Sequence, residues 1–226
     1  MYKIAIVEDE IDLSKLTKKY FENEGYEVKV FNTGEEALEN INSNFDLWIL
    51  DIMLPGFVSG YDLIKKIKEN NPMMPVVFTS ARVEEFDKVT GLSMGSDDYI
   101  SKPYSNRELV LRIKNILART YHNNTKTQKN TEDFNGYTID YDKRIVLEND
   151  NNVNLTSKEY DLLYFLLKNK GKAFSRNQIV DNVWGNDYFG SDRVVDDLMR
   201  RLRQKMPNLL IETIYGFGYR MLVWKN

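Results

Sequence analysis

The sequence LWILDIMLP occupies residues 47–55 and places an aspartate directly after four apolar residues. A short apolar run without polar alternation is typical of a strand that is buried on both faces at the centre of a parallel sheet. Asp51 then lies at the carboxyl end of that strand, which is the edge where open α/β sheets bind their ligands. Taken alone, an acidic residue after a strand is more often the solvated start of a loop, so the rest of the chain must decide its role.

Four other short apolar runs predict further strands, and apolar residues at helical spacing follow them along the chain. In the first predicted helix, Leu13, Leu16, Tyr20 and Phe21 recur at the spacing of one helix face. Regular alternation of strands and helices favours a five-stranded parallel sheet covered by helices on both faces. Because βα crossovers are almost always right-handed, all five strand ends should meet at one edge. The four runs are residues 4–7, 28–31, 75–79 and 99–100.

Composition excludes several classes of protein. The chain has 226 residues, which suits one large or two small domains. It has no cysteine and a single histidine, His122, which excludes disulfides, cysteine-based zinc sites and multi-histidine metal sites. The N-terminus is too acidic for a signal peptide, and no apolar run approaches the ~18 residues of a membrane helix. We therefore expect a cytoplasmic protein without a membrane partner.

The distribution of charge predicts two domains. Residues 1–120 carry 15 Lys and Arg against 20 Asp and Glu, a net charge of −5, whereas residues 121–226 carry 16 against 14, a net charge of +2. Between them lies a polar stretch whose only large side chain is Tyr121, too little apolar surface to order the segment. We predict a first domain over residues 1–120, a flexible linker over 121–133 and a second domain over 134–226.

Polar side chains stand at the carboxyl ends of the predicted strands of the first domain. They are Glu8 and Asp9, Asp51, Thr79 and Lys102. Three neighbouring carboxylates repel one another unless a cation joins them, and hard oxygen ligands of this kind suit Mg²⁺. Lys102 can pair with an anion, and Thr79 supplies a hydroxyl donor. This set fits phosphoryl transfer, in which the metal and the lysine neutralise the phosphoryl oxygens while Asp51 attacks in line.

Glu8-Asp9, Asp51 with Leu54-Pro55, Thr79-Ser80-Ala81 and Lys102-Pro103 resemble the motifs of the receiver domain of two-component response regulators. The resemblance covers residues 1–120 and implies an α/β flavodoxin-like fold with Asp51 as the phospho-acceptor. It also implies Mg²⁺ bound by Glu8, Asp9, Asp51 and the backbone carbonyl of Met53.

The same resemblance implies a conformational switch and a dimer. Thr79 and Tyr99 would form the switch pair, although the position of Tyr99 alone favours a plain core aromatic. The Lys102–Pro103 peptide bond would be cis. On phosphorylation the receiver would form a homodimer through the predicted fourth helix, fifth strand and fifth helix, where opposite charges pair. The charged residues are Lys88, Asp97, Asp98, Glu108, Arg112 and Arg119.

Two features beside Asp51 depart from the family pattern. The glycine before the third helix, Gly60, stands nine residues after Asp51 where the family usually has eight, so the intervening loop is longer. Met53 and Ala81, each two residues after a motif residue, cannot orient a hydrolytic water. We therefore expect a long-lived phosphorylated state.

Residues 134–226 carry two alternating strand patterns, three helices and a final hairpin. Capping boxes begin the first two helices at Thr156–Glu159 and Ser175–Gln178. The third predicted helix runs from about Asp192 to Met206, with an apolar stripe and several arginines on other faces. The glycine-bearing tip of the hairpin is Tyr215–Gly218. This order predicts an α+β winged helix-turn-helix domain, whose third helix can enter the DNA major groove.

The sequences LTSKEYDLL at residues 155–163 and YGFGYR at 215–220, with the segment Arg193 to Arg203, resemble the effector domain of OmpR/PhoB-like regulators. Without the resemblance, the basic helix could equally be a solvated face. With it, the helix and the wing are implied to bind DNA. Tyr215 stands where the family often has a basic residue, and Asp197 and Leu198 also replace more usual choices. The implied DNA contacts are Arg193, Arg200, Arg201, Arg203, Tyr215 and Tyr219.

The resemblance implies a transcriptional regulator whose partners are a sensor histidine kinase, promoter DNA and RNA polymerase. An enzyme is the rival interpretation. A haloacid-dehalogenase-type phosphatase needs a second aspartate where Met53 stands, and a P-loop NTPase needs a glycine-rich loop that this chain lacks. A stand-alone receiver would not need the basic third helix and wing. We therefore predict a DNA-binding protein rather than an enzyme.

Overall fold

The structure is a computed structural model that describes residues 1–81, 91–121, 130–185, 188 and 191–223. The chain divides into two compact units, Met1–Asn123 and Asn124–Asn226. Within the described ranges, no helix has both the length and the apolar character needed to cross a bilayer.

The first unit is the five-stranded parallel sheet that the sequence predicts, with strand order β2-β1-β3-β4-β5. The predicted helix around Phe86 and Val89 lies outside the described residues. The strands are β1 (Lys3–Val7), β2 (Glu27–Phe31), β3 (Leu47–Asp51), β4 (Val76–Ser80) and β5 (Asp98–Ser101). The helices are α1 (Ile11–Asn23), α2 (Gly34–Glu39), α3 (Gly60–Asn70) and α4 (Asn106–Tyr121).

Strand β3 shows why the decisive run of residues has no polar alternation. Its alternate side chains enter two different apolar clusters, one on each face of the sheet. Leu47 and Ile49 pack in the cluster that includes residues of α1 and α4, whereas Trp48 and Leu50 pack in the cluster that includes residues of α2 and α3. Burying a side chain of this size stabilises the fold by about 1.5–3 kcal/mol. Burial on both faces therefore fixes β3, and with it Asp51, at the centre of the sheet.

The apolar face predicted for α1 is only partly right. Phe21 is buried, but Leu16 and Tyr20 are exposed, and the small residues Ser14 and Thr17 occupy buried positions instead. The Ser14 hydroxyl donates to a backbone carbonyl one turn earlier in α1, and the Thr17 hydroxyl donates to a side chain at the start of α4. Side-chain hydrogen bonds satisfy these buried hydroxyls, which hydrophobic spacing cannot reveal.

In its described residues, the second unit combines a four-stranded antiparallel sheet with three helices and a three-stranded sheet. The sheets have strand orders β6-β7-β8-β9 and β10-β12-β11, and the β11–β12 hairpin is the predicted wing. The strands are β6 (Thr131–Phe134), β7 (Tyr137–Asp140), β8 (Ile145–Glu148), β9 (Asn151–Asn152), β10 (Ala173–Ser175), β11 (Ile211–Ile214) and β12 (Gly218–Met221). The helices are α5 (Ser157–Lys168), α6 (Arg176–Val183) and α7 (Val194–Lys205).

The two capping boxes predicted in this unit are confirmed. Thr156 and Glu159 form a complete capping box at α5, and Ser175 and Gln178 form another at α6. The apolar residues of α7 are buried, so its basic residues lie toward the sides of the helix and solvent.

The linker predicted over residues 121–133 is too long at both ends. Tyr121 ends α4, where its hydroxyl donates to the Asp46 carbonyl oxygen at 3.0 Å and its ring lies 5.4 Å from that of Tyr2. At the other end, Thr131–Phe134 forms β6, which pairs with β7. An edge strand held by backbone hydrogen bonds needs little apolar sequence, and for that reason composition misses it. Residues 122–129, including His122, lie outside the described residues.

Candidate functional site

Three carboxylates meet at the carboxyl edge of the first sheet. Glu8 and Asp9 follow β1, Asp51 ends the neighbouring strand β3, and their ligand oxygens lie within 4.8 Å of one another. Glu8 and Asp51 are buried, whereas Asp9 is exposed. The cluster is therefore anchored in the domain and open to solvent on the side of Asp9.

Lys102 binds two of these carboxylates directly. Its Nζ lies 2.5 Å from Asp51 Oδ2 and 2.7 Å from Glu8 Oε2. Burial alone lowers the pKa of Lys102, but the hydrogen bonds with Asp51 and Glu8 outweigh it and raise that pKa above its usual value. Burial also raises the pKa of Glu8, and Lys102 offsets part of that rise. The expected cis bond between Lys102 and Pro103 is present.

The donor set fits a divalent cation. Three carboxylates and one ammonium group carry a formal charge of −3 + 1 = −2, which one Mg²⁺ would neutralise. The oxygens of Glu8, Asp9 and Asp51 are hard ligands of the kind that Mg²⁺ prefers. The Met53 backbone N–H donates to Asp51 Oδ1 at 2.8 Å, which orients that carboxylate. A role for the Met53 carbonyl as a further ligand stays a prediction.

The start of α3 packs closely against the backbone of Asp51 and fixes the position of that residue. A Cβ atom on Gly60 would stand 2.2 Å from the Asp51 carbonyl oxygen and 2.9 Å from Ile52 Cα, both of them backbone atoms. The Gly60 N–H also donates to the Ile52 carbonyl oxygen at 3.3 Å. The first residue of α3 therefore lies directly against the backbone of the candidate acceptor, where only glycine fits.

The lengthened loop between β3 and α3 is fastened to α2. Glu35 Oε1 accepts a hydrogen bond from the Phe57 N–H at 2.7 Å, and this bond lowers the pKa of Glu35. The preceding residue, Gly56, has φ +100°, in the region that favours glycine. Phe57 itself is fully exposed. The loop thus has a defined attachment that neither hydrophobic pattern nor motif spacing predicts.

The two predicted switch residues lie in the interior. Thr79 pairs in register with Asp51 and is buried. Tyr99 is also buried, with its ring centroid 6.4 Å from that of Phe78. Sequence reasoning overlooked Tyr104, whose hydroxyl lies close enough to Glu8 and Lys102 for both charges to influence its pKa, which burial raises.

The arginines predicted to bind DNA occupy different environments in the second unit. Arg193 and Arg200 are exposed, as is Tyr215 at the tip of the wing. The Arg200 side chain is 57% exposed and pairs with Asp197 on its own helix at 2.5 Å. These three side chains can reach a nucleic acid.

Arg201 and Arg203, by contrast, bind groups inside the second unit. The side chain of Arg201 is only 15% exposed and lies 3.6 Å from buried Glu159 and 3.2 Å from Asp197. Arg203 Nη2 donates to the Ile211 carbonyl oxygen at 2.7 Å. Tyr219, also predicted to contact DNA, is buried. In the described conformation these three residues therefore fasten elements together instead of facing solvent.

Comparison with known proteins decides the family. Residues 4–114 match the response regulator receiver domain, and residues 150–221 match the family described as transcriptional regulatory protein, C terminal. The transcriptional regulatory protein CssR of Bacillus subtilis is 52% identical over 222 residues, which cover 98% of this chain and 98% of CssR. The chain belongs to the OmpR/PhoB-type response regulators. ResD of Bacillus subtilis is 37% identical over 232 residues, covering 98% of this regulator and 96% of ResD. The solved structure of DrrB, a Thermotoga maritima OmpR/PhoB homolog, has a TM-score of 0.53 and 32% identity, and the match covers 99% of the regulator and 100% of DrrB.

The charged residues predicted for the dimer of this response regulator are not equally accessible. Asp97 is only 1% exposed, accepts a hydrogen bond from the Val76 N–H at 3.1 Å and lies 3.6 Å from Lys68 Nζ. Its carboxylate is therefore inside the domain and not on a surface that could pair with a second copy. Asp98, the next residue and the first of β5, is also mostly buried, with 8% of its surface exposed.

Three of the other predicted dimer residues form a row of ion pairs within the regulator. Arg112 Nη1 lies 3.1 Å from Asp98 Oδ2, and Arg112 Nη2 lies 2.9 Å from Glu108 Oε1. Arg119 is half-buried on the same helix, and Lys88 lies outside the described residues. The row joins β5 to α4, the two described elements on which the dimer prediction depends.

Proposed function

We propose that Asp51 accepts a phosphoryl group from a sensor histidine kinase and that phosphorylation controls the binding of the C-terminal domain to promoter DNA. The observation that carries this proposal is the contact of Lys102 with both Asp51 and Glu8 inside the cluster of three carboxylates. A lysine bound this way can exchange a carboxylate partner for a phosphoryl oxygen without crossing the site.

The transfer itself needs one nucleophile. An Asp51 carboxylate oxygen attacks the phosphorus of phosphohistidine, a P–O bond forms, and the P–N bond breaks with its electron pair returning to the imidazole. Glu8, Asp9 and Asp51 would hold Mg²⁺, which supplies positive charge for the phosphoryl oxygens. Lys102 pairs with one of those oxygens. The Met53 N–H keeps the attacking carboxylate oriented.

Several steps follow phosphorylation in this proposal. Thr79 and Tyr99 change conformation together, and the receiver dimerises through the surface that carries Asp98, Arg112 and Glu108. The side chains of Asp98 and Arg112 are only 11% and 12% exposed, whereas that of Glu108 is 45% exposed. The row would therefore have to exchange partners across the dimer, and it would select the partner more than strengthen the dimer. The dimer then binds promoter DNA and engages RNA polymerase in the cytoplasm, where promoter DNA lies.

The proposed DNA contacts are the exposed residues of α7 and the wing. Arg193, the N-cap residue of α7, has helical backbone angles and stands seven residues before Arg200, so the two lie on the same side of the helix, where guanidinium groups can read base edges or bind phosphates. Tyr215 extends from the wing tip with 94% of its surface exposed. We propose that α7 enters the major groove while the wing contacts the adjacent backbone.

Phosphorylation of Asp51 is tested by substitution. Asp51→Asn keeps the shape of the side chain but removes the nucleophile, so incubation with labelled acetyl phosphate and Mg²⁺ should label the wild type and not the variant. Asp12→Asn, which changes an exposed carboxylate at the start of α1, is the matched control and should be labelled normally. Equal labelling of wild type and Asp51→Asn would refute the assignment.

The alternative enzymatic reading is tested separately. We propose that the regulator turns over no phosphate ester, because a haloacid-dehalogenase-type mechanism lacks its second aspartate at Met53. Sustained release of phosphate from a generic phosphate ester with Mg²⁺, lost in Asp51→Asn, would contradict this proposal.

A further inference from the structure

Tyr219 connects the wing to the recognition helix α7. It lies on β12, is 5% exposed, and its hydroxyl donates to Asp196 Oδ1 at 2.7 Å. Asp196 lies in the first turn of α7. A buried hydroxyl thus joins the two elements that the proposed function places on DNA, although it is itself hidden from solvent.

An arginine of α6 also binds Asp196. Arg176, the first residue of α6, donates its Nε–H to the same Oδ1 atom at 2.7 Å, and its guanidinium lies 5.5 Å from the centre of the Tyr219 ring. Asp196 therefore receives hydrogen bonds from both α6 and β12. Burial, with the hydrogen bond to Asp196 as a further cause, raises the pKa of Tyr219 to about 12, so the hydroxyl keeps its proton at neutral pH.

A second link runs from the same helix to the other strand of the wing. Arg203 Nη2 donates to the Ile211 carbonyl oxygen at 2.7 Å and to Thr213 Oγ1 at 3.0 Å, both on β11. Its guanidinium also lies 5.4 Å from the centre of the Tyr219 ring. Asp196 and Arg203 are two helical turns apart, so one face of α7 holds both strands of the hairpin.

We infer that Tyr219, through Asp196, is a positioning residue that fixes the wing against α7, and that Arg203 serves the same purpose on the other strand. The exposed groups on the two elements, Tyr215 on the wing and Arg200 on the helix, are then held at one spacing before DNA arrives. This inference rests on the proposed DNA-binding surface. It removes Tyr219 and Arg203 from the set of direct DNA contacts.

Pre-ordering the wing makes the DNA contacts of Tyr215 and Arg200 depend on the hydrogen bond between Tyr219 and Asp196, which itself touches no DNA. Without it, the wing must be ordered at the moment of binding, which lowers affinity without removing any protein–DNA contact. Loss of one hydrogen bond of this kind corresponds to about a twofold to tenfold weaker complex. Because no charge is lost from the DNA contacts, the salt dependence of binding should stay unchanged.

The test uses the full-length chain and a DNA duplex that the wild type has selected from a random-sequence pool. Tyr219→Phe should bind this duplex about twofold to tenfold more weakly. Hydroxyl-radical footprints should lose protection at the outer nucleotides contacted by the wing and keep it at the central nucleotides contacted by α7. Tyr141→Phe is the matched control, because it removes the hydroxyl of another buried tyrosine of the same domain, one bonded to Glu132. Its footprint should match the wild type.

Two further variants separate positioning from folding. On an Asp196→Ala background, Tyr219→Phe should cause no additional loss of affinity, because the two residues act through one bond. Thr213→Val removes a hydroxyl acceptor of Arg203 without altering the Tyr219 ring, and it should also weaken protection by the wing.

The inference is overturned if the losses from Tyr219→Phe and Asp196→Ala add, or if all footprints keep their wing protection. Uniform loss of protection, at wing and helix alike, would equally overturn it, since that result indicates a general folding defect. A wild-type protein that selects no DNA would instead overturn the proposed DNA-binding surface, and this inference with it.

Discussion

Replacing Arg201 by methionine distinguishes a DNA contact from a residue that holds the domain together. Arg201 lies on α7 among residues predicted to read DNA, yet its Nη1 is 3.6 Å from Glu159 Oε1 and its Nε is 3.2 Å from Asp197 Oδ2. Methionine keeps the length and apolar stem of the side chain and removes the charge. Arg200→Met makes the same change one residue earlier, where the side chain is mostly exposed.

The expected loss of stability follows from what remains around Glu159. Removing one partner of a buried ion pair costs about 3–5 kcal/mol when the other charge is left alone. Glu159, however, keeps Lys205 Nζ at 2.7 Å and the Thr156 N–H at 2.8 Å. We therefore expect the C-terminal domain to lose about 1–2 kcal/mol in Arg201→Met. For a domain of about 100 residues, this corresponds to a melting temperature lower by roughly 5–15 °C.

Thermal unfolding followed by circular dichroism, together with DNA titration at several salt concentrations, separates the two roles. Arg200→Met should change the unfolding free energy by no more than about 0.5 kcal/mol. If Arg200 binds a phosphate, that variant should also lower the salt slope of DNA binding by about 1. The reasoning is refuted if Arg201→Met melts at the same temperature as the wild type and also binds DNA more weakly with a smaller salt slope, while Arg200→Met binds DNA like the wild type.

Four other outcomes are expected. Gly60→Ala should destabilise the receiver by about 1–3 kcal/mol in urea unfolding and slow its labelling by acetyl phosphate, because the new methyl group displaces the Asp51 backbone; unchanged stability would contradict the packing. Phosphorylated protein should decay over minutes or longer, since Met53 offers no group to position water, and decay within seconds of removing the donor would be contrary evidence. Phosphorylated wild type should sediment as a dimer and Arg112→Ala as a monomer at micromolar concentration; a monomeric wild type would count against the proposed surface. The absorbance difference between wild type and Tyr219→Phe should show a tyrosine titrating near pH 12. Because this pKa lies above that of an unfolded tyrosine, the contribution of Tyr219 to the folding free energy should be complete below pH 10 and lost as pH rises through 12. A difference spectrum that titrates near pH 10 would contradict the buried hydrogen bond.

The sheet and the acidic cluster could be predicted because local sequence determines them. A strand buried on both faces needs consecutive apolar residues, and β3 has them. Parallel strands bring their carboxyl ends to one edge, so Asp51 and Lys102 were expected to meet even though 51 residues separate them. Hydrophobic periodicity could not show which of several acidic residues form the cluster, but the order of the receiver motifs along the chain did.

The sequence did not reveal which partner a polar side chain binds when several partners are available in the folded domain. Helical spacing shows that Arg201 and Arg203 lie off the apolar stripe, but not that they reach Glu159 and Ile211 across the domain. Similarly, Tyr219 belongs to a motif implied to bind DNA, and only its burial shows that its hydroxyl faces Asp196. Such choices depend on tertiary geometry, which neither propensity nor charge pattern contains.

The attachment of the lengthened loop to α2 has a consequence for how this receiver can evolve. The extra residue is accommodated by a carboxylate at Glu35 and by a glycine at position 56, where a Cβ would stand 2.6 Å from Glu35 Oε1. A larger residue at position 56 would push that carboxylate away from the Phe57 N–H, whereas a shorter residue at position 35 would make room but abandon the bond. The two positions are therefore epistatic, and shortening the loop by one residue would release both constraints at once.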